Sequence, residues 1–558
     1  MKNSHYPDWY LNTHKTWVQV LEETCTRFPN KEYIVFNDER ITYGEFYEKV
    51  NHIAGGLLEL GVKKGDVVAV WMPNCPEWMQ IQFAIYKIGG ILLPLYTYYR
   101  TMEVEYALKQ SEAKVLFMKD DFLGKIDAAE IMKDICPEIE SINKEDFNSE
   151  KLPNLKTIIS LDGKELIGRY DFSEIVSTKE NSISEVNRIV KEISPFDVMN
   201  IMYTSGTTGF PKGGMSMHRT NLATVYHWTT IANVSERTVI LGQVPLFTNF
   251  GGLYVGPLAM LRGAKVILTE YFNAENSLRL IEQESVTYIP GSPSMFIMLL
   301  EHRDFGIRDV SSLTTGHVAG APLSPELMND IIHKMGVKNI MQAYGLSECG
   351  GIATVTSSED EMDKRLETVG KPLPSAQVKV VDIETQETII NKPGEIWLHD
   401  VLPGSCVGKG YWRMPDKTDE TTTKDGWFKT GDIGIMGTDG YLRFVGRLKE
   451  MFTVGGFNVY PAEIENFIQT HPDVQEVHVI GVPDHRLGEV PMAWIRLKQG
   501  VCLSEESMIE FVKKNLSSQK VPRYVQFFGE GELPMTGSGK IQKFKLRERA
   551  INDYQLTN

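Results

Sequence analysis

Tyr203-Thr-Ser-Gly-Thr-Thr-Gly-Phe-Pro-Lys-Gly-Gly-Met215 gathers hydroxyls, glycines and one lysine into thirteen residues. Gly206, Gly209, Gly213 and Gly214 allow positive φ and a close approach of backbone to a ligand. Thr204, Ser205, Thr207 and Thr208 add short hydroxyl donors. Successive amides in such a turn form a concave anion site, and Lys212 brings a mobile point charge suited to phosphate. The apolar run Val198-Met-Asn-Ile-Met-Tyr203 reads as a strand feeding the loop. The stretch therefore predicts a polyphosphate cradle. It differs from the Walker arrangement, which sets Gly-Lys-Ser/Thr side by side. Here Pro211 precedes the lysine and Gly213 follows it.

On both sides of this stretch, strand and helix signals alternate. Tyr33-Ile-Val-Phe36 and Glu39-Arg-Ile-Thr42 flank Asn37-Asp38 as a short hairpin. Thr42-Tyr-Gly-Glu45 is a capping box opening a helix to about residue 60, which Gly61 closes. Strands are predicted at 66–71, 91–94, 113–118, 264–268, 286–289 and 338–342, with a helix over 76–88. Strands separated by helices predict an α/β fold: stacked, mostly parallel sheets covered on both faces. The charge runs of 119–190 read as solvated faces and loops. Short strands and turns dominate Gly370–Val445, and a compact α+β pattern follows. A boundary near 446–450 divides a large N-terminal domain, 1–446, with a β-rich subdomain, from a small mobile C-terminal domain, 447–558.

Composition narrows the function. A chain of 558 residues exceeds one ordinary core. Its formal charge of −15 argues against a nonspecific nucleic-acid binder. Cys25, Cys75, Cys136, Cys349, Cys406 and Cys502 are scattered, with no CxxC pair, so neither a disulfide framework nor a zinc site is expected. The start, Met1-Lys-Asn-Ser-His-Tyr-Pro-Asp8, lacks a signal-peptide pattern, and no apolar run reaches transmembrane length. A cytoplasmic enzyme, monomer or homodimer, is the expectation.

Further stretches carry chemistry. Ala319-Gly-Ala-Pro-Leu323, with Gly320, Ala321 and Pro322, offers a flat slot for a purine. Gln342-Ala-Tyr-Gly-Leu-Ser-Glu348 ends a strand at an aromatic, turns at Gly345 and presents a hydroxyl and a carboxylate. Asp432 in Trp427-Phe-Lys-Thr-Gly-Asp432 suits a vicinal diol, because two carboxylate oxygens accept two donors. Gly446-Arg-Leu-Lys-Glu450, Thr453-Val-Gly-Gly-Phe457 and Leu533-Pro-Met-Thr-Gly-Ser-Gly-Lys-Ile541 complete the set.

In this order, from 203 to 541, these stretches resemble the adenylate-forming superfamily, and within it the AMP-forming acyl-CoA synthetases. The resemblance covers essentially the whole chain. It implies ATP, Mg²⁺ and CoA as cosubstrates and cofactor, and a small-molecule carboxylic acid as substrate. It implies that Tyr344 stacks on adenine, Ser347 meets the α-phosphate and Glu348 holds the metal. Asp432 and Arg447 would take the ribose, and Lys449 would be the hinge. Gly455 and Gly456 would line the CoA tunnel. Lys540 would enter the site during adenylation, where its charge offsets the carboxylate's approach to phosphate. Lys212, Lys540, Ser347 and Glu348 form the implied catalytic set.

The implied reaction has two steps. A carboxylate attacks the α-phosphate, then the small domain turns and the CoA thiol displaces AMP. Three positions depart from the pattern: Ser347 stands where threonine is common and keeps the donor, Thr248 where many CoA ligases have histidine, and Gly446 where aspartate is common. No aspartate lies between 240 and 260, which disfavours an amino-acid substrate. Phe247, Phe250, Leu253, Tyr254, Val318 and Cys349, with Thr248 and Gly345, suggest an apolar or aromatic acyl pocket. A medium- or long-chain fatty acid is expected, with an aryl or alicyclic acid as the alternative. Loading of a carrier protein, a luciferase-like oxidation and a silent binding role stay open.

Overall fold

The computed structural model describes residues 8–162, 167–177, 180–204, 211–319, 323–455, 457–535 and 541–556. Ser205, Gly206, Thr207, Thr208, Gly209, Gly320, Ala321, Pro322, Gly456 and Lys540 lie outside the described residues. The chain divides into two compact units. The first takes in positions up to Thr204, Pro211–Gln377 and Leu398–Phe428, and the second Val378–Trp397 and the chain from Lys429 on.

Two large sheets build the first unit. In one, the strands Asn339–Tyr344, Thr315–Val318, Tyr288–Gly291, Val239–Gly242, Lys265–Leu268 and Glu32–Phe36 lie side by side in parallel. The hairpin strand Glu39–Thr42 closes one edge, and short antiparallel strands close the other. In the other sheet, Val198–Thr204, Ile91–Pro94, Val67–Trp71, Val115–Met118 and Thr157–Ser160 run parallel, and Lys212–Met217 is added antiparallel. Parallel strands require crossovers, and helices supply them, so both faces are covered and the central strands are largely apolar. Val67–Trp71 is buried at every position.

Local sequence explains the helices. Thr42 caps Tyr43–Glu59, with Glu45 returning a bond to the cap backbone. Pro76 opens Pro76–Lys87, where a missing N–H does no harm. Strand ends differ from expectation where pairing continues: the run expected at 338–342 extends to Tyr344, because Ala343 and Tyr344 pair with Val355 and Thr354. Residues 119–190 depart more. Asp120 and Arg169 are buried together as an ion pair, so this region is not all solvated surface. The two charges offset each other where neither could be buried alone.

A four-stranded sheet, Ala376–Val381, Gly394–Asp400, Phe428–Met436 and Leu442–Arg447, belongs for the most part to the second unit. Beyond it lies a sheet of Phe457–Val459, Phe452–Val454, Gly488–Leu497, Val474–Asp484 and Tyr524–Phe527. Helices Pro461–Ile468 and Glu505–Lys513 pack on this sheet through Ile464, Ile468, Met508 and Val512.

The candidate residues of the first unit gather at the carboxyl ends of its parallel strands. Thr204, Val318 and Tyr344 each end a strand. This is where open α/β sheets bind ligands.

Candidate active site

Lys212 opens its strand directly opposite Thr204, its partner in the antiparallel ladder. Gly213 and Gly214 lie within the strand, at no positive φ, and serve packing instead of the turn. A Cβ at Gly213 would fall 2.6 Å from Ile201 Cγ2. On the strand's outer side a second segment is laid down: Met215 N–H donates to Gly410 O, Lys409 N–H to Met215 O and Trp412 N–H to Gly213 O. Gly408 permits it, because a Cβ there would meet Met215 O at 2.2 Å.

This second segment carries Tyr411 beneath Lys212. The ammonium sits 5.0 Å from the ring centroid, a cation–π contact. The Tyr411 hydroxyl donates to Glu348 Oε1 at 2.9 Å. Burial, and then the neighbouring Glu348 charge, push the Tyr411 pKa up, so the phenol keeps its proton and stays a donor. Glu348 is 8% exposed. Its other oxygen, Oε2, is buried with no hydrogen-bond partner among the described residues. The backbone holds it in place: Gly408 N–H donates to Glu348 O at 2.8 Å, and Ser216 Oγ–H to Ser347 O at 3.3 Å. Lys212, Ser347 and Glu348 are thus brought together, and Tyr411 joins them.

Tyr344 is buried at its strand's end. Gly345 follows where a Cβ would strike Gly351 O at 2.2 Å, so its own chain requires glycine there. Cys349 is buried, its thiol on Leu346 O at 3.2 Å. Phe247 packs edge-on against Tyr96, with centroids 5.4 Å apart. Thr248 caps Asn249–Tyr254: its hydroxyl accepts from Gly251 N–H and donates to Pro245 O. Val318 joins the core with Leu323, Leu327 and Ile340. A cavity of about 390 Å³ borders Glu348, Asp400, Gly408 and Lys409. One of about 740 Å³ opens among Thr238, Thr287, Thr314 and Lys338, at the opposite ends of the strands, and holds none of the candidate residues.

In the second unit, Asp432 and Arg447 face each other across an antiparallel pair. Arg447 Nε lies 3.4 Å from Asp432 Oδ1. Gly431, at φ +69°, makes the preceding turn, and its N–H donates to Glu395 Oε1 at 3.0 Å. Gly446 has φ +156°, a conformation glycine favours, which accounts for the missing aspartate. Lys449 sits in the short helical turn Leu448–Glu450, and Gly455, at φ +57°, turns the hairpin that follows.

A family model described as AMP-binding enzyme matches residues 21–412, and one described as AMP-binding enzyme C-terminal domain matches 463–540. The chain belongs to the AMP-binding enzyme family. It is 39% identical to the putative acyl-CoA synthetase YngI of Bacillus subtilis (strain 168), over 98% of this chain and 99% of that protein. The medium-chain acyl-CoA ligase ACSF2, mitochondrial, of Homo sapiens is 36% identical over 97% of this chain and 88% of its own. Among solved structures, the anthranilate CoA ligase AuaEII with anthranoyl-AMP superposes at TM-score 0.81, 27% identical, over the full length of both chains. ATP-bound MatB from Rhodopseudomonas palustris superposes at TM-score 0.79, 25% identical, over 96% of this chain and 99% of its own. Fold and relatives are those of adenylate-forming acyl-CoA synthetases.

For this AMP-binding enzyme, Tyr411 is the residue that sequence reasoning passed over. Its signal was present in Gly408-Lys-Gly-Tyr-Trp412. Glycines two apart mark a backbone that another backbone approaches closely, and the aromatic beside them is then fixed in place. Among the described residues no cluster of three or more His, Cys, Asp or Glu side chains is placed to hold a metal, and no helix is long and apolar enough to cross a membrane.

Proposed function

We propose that this enzyme joins a medium-chain carboxylic acid to CoA through an acyl-adenylate, releasing pyrophosphate and then AMP. The observation that carries the reading is the unmatched Oε2 of Glu348, buried beside Lys212 and Tyr411. A buried carboxylate oxygen without a donor calls for a cation, and carboxylate oxygen is the ligand Mg²⁺ prefers. Glu348 would hold that ion, which when bound supplies positive charge against the triphosphate.

The chain's own groups then divide the work. Tyr411, kept protonated, occupies one Glu348 oxygen and leaves the other for the metal. Lys212, with Thr204, Ser205, Gly206, Thr207, Thr208 and Gly209, takes the phosphates. Tyr344, with Gly320, Ala321 and Pro322, receives the adenine, and Ser347 the α-phosphate. Asp432 accepts from the ribose hydroxyls, and Arg447 steadies that carboxylate. Lys540 comes to the reacting carboxylate, Lys449 is the hinge between a domain of 1–446 and one of 447–558, and Gly455 and Gly456 admit the CoA arm. Phe247, Thr248, Val318, Gly345 and Cys349 belong to the acyl end. The name of ACSF2 favours a medium chain; that of AuaEII keeps an aryl acid as the second reading.

The test is AMP release with ATP and Mg²⁺ over a panel of fatty, aryl and alicyclic acids, with and without CoA. Turnover that needs CoA and peaks at medium-chain acids is expected. Pyrophosphate release without CoA-dependent AMP release would instead assign a carrier-protein acceptor.

A further inference from the structure

Strand Thr315–Val318 sends alternate side chains to opposite faces. Val318 enters the core on one face. His317, 1% exposed, enters an aromatic nest on the other. Its ring centroid lies 4.6 Å from Phe250, 4.9 Å from Trp228 and 5.6 Å from Tyr288.

Two hydrogen bonds fix its tautomer. The Trp228 indole N–H donates to the Tyr288 hydroxyl oxygen at 2.7 Å, and that hydroxyl lies 2.7 Å from His317 Nδ1. An indole N–H can only donate. Tyr288 oxygen therefore accepts from Trp228, and among the described residues Nδ1 is the one acceptor in reach of its own proton, which it gives to that nitrogen. Nδ1 is an acceptor, so the hydrogen of the neutral ring sits on Nε2. Burial pushes the His317 pKa down to about 3, which keeps the ring neutral. Nε2 is buried with no partner among the described residues. Buried donors are almost always satisfied, and this one is held rigidly by a two-bond relay.

Its surroundings place it among the segments read above as the acyl end. Phe250, partly exposed, belongs to the helix that Thr248 caps. Tyr254 of the same helix has its ring centroid 6.1 Å from His317. A Cβ on Gly351, just after Cys349, would touch Tyr254 Oη at 3.2 Å.

We infer that the acid activated here carries an oxygen acceptor on its acyl body, a hydroxyl or oxo group remote from the carboxylate, and that His317 Nε2–H donates to it. The inference rests on the acid:CoA ligase reading and names its substrate class. An unsubstituted acyl chain would leave the donor unmatched, and a site built around a hydrogen bond rejects the analogue that lacks it.

The experiment compares octanoate with its positional oxo and hydroxy isomers, and with amino isomers that are charged donors, as CoA-dependent AMP release by the full chain. At least one oxo or hydroxy isomer is expected to exceed octanoate about ten- to hundredfold in kcat/KM. An oxo isomer performing as well as its hydroxy partner marks the shared acceptor as the feature recognised. His317→Phe should erase this preference while leaving the KM for ATP unchanged, and His317→Gln, which retains an N–H, should keep part of it. Octanoate equal or superior to every isomer in the wild type overturns the inference, whether or not the variants fold. So does a His317→Phe enzyme that loses rate on plain and oxygenated acids alike. Turnover of octanoate alone leaves the ligase reading standing; turnover of no acid of any class overturns that reading and this inference with it.

Discussion

At Glu348 the two carboxylate oxygens meet different surroundings: Oε1 accepts the Tyr411 hydroxyl, and Oε2 meets no donor. Tyr411→Phe removes the donor and leaves both oxygens unmatched, while the ring that carries Lys212 remains. The expected result is a fall of about tenfold or more in acid-dependent ATP–pyrophosphate exchange, with a higher Mg²⁺ requirement. Exchange unchanged at every Mg²⁺ concentration would remove Tyr411 from the site. The sequence displayed Glu348 because a carboxylate after an aromatic and a glycine is conspicuous. It hid Tyr411, whose position depends on a backbone pairing between residues about two hundred apart. Gly446 was visible only as a departure; its φ of +156° supplies the reason.

Among elements, a lysine links the last helix to the Leu448–Glu450 turn. Lys543 opens the last helix and reaches Glu450 at 3.1 Å and Glu465 at 2.7 Å. Burial works to lower its pKa, and the two carboxylates overcome this and raise it. Glu465 Oε1 also accepts Val479 N–H, so the pair ties helix, turn and strand together. Lys543→Met should cost the second unit roughly 2 kcal/mol, since partial exposure moderates the loss of a buried pair. Thermal unfolding followed by limited proteolysis after residue 450 checks this; an unaltered midpoint would contradict it. Elements buried on both faces, such as Val67–Trp71, were legible because apolar runs leave little choice. The ends were less so, since Tyr344 extends its strand only because Thr354 lies opposite. Residues 119–190 were misread for a related reason: Asp120 and Arg169 find each other across 49 positions, and a charge is read as solvated until its partner is known.

For the molecule as a whole, three buried histidines set an acid limit. Burial pushes His218 to about 4, His227 to about 4 and His317 to about 3, below the ordinary 6.5. Each stays neutral in the folded chain while the unfolded chain takes up a proton below 6.5. Stability therefore falls as pH drops from about 6 toward 4, by roughly 1 kcal/mol per histidine per pH unit. The melting temperature should decline steadily over that window, and His317→Phe should make the decline shallower. A flat profile from pH 6 to 4 would contradict the burial of these rings as neutral groups.

Adenylation moves one carboxylate oxygen onto phosphorus, and thiolysis then breaks the bond between acyl carbon and that oxygen. The most direct measurement uses an acid labelled with ¹⁸O in its carboxylate, turned over with ATP, Mg²⁺ and CoA, with the products read by mass spectrometry. One ¹⁸O per AMP and none in pyrophosphate is the predicted result. Label in inorganic phosphate, with ADP as the nucleotide product, would mean an acyl phosphate and would contradict the account.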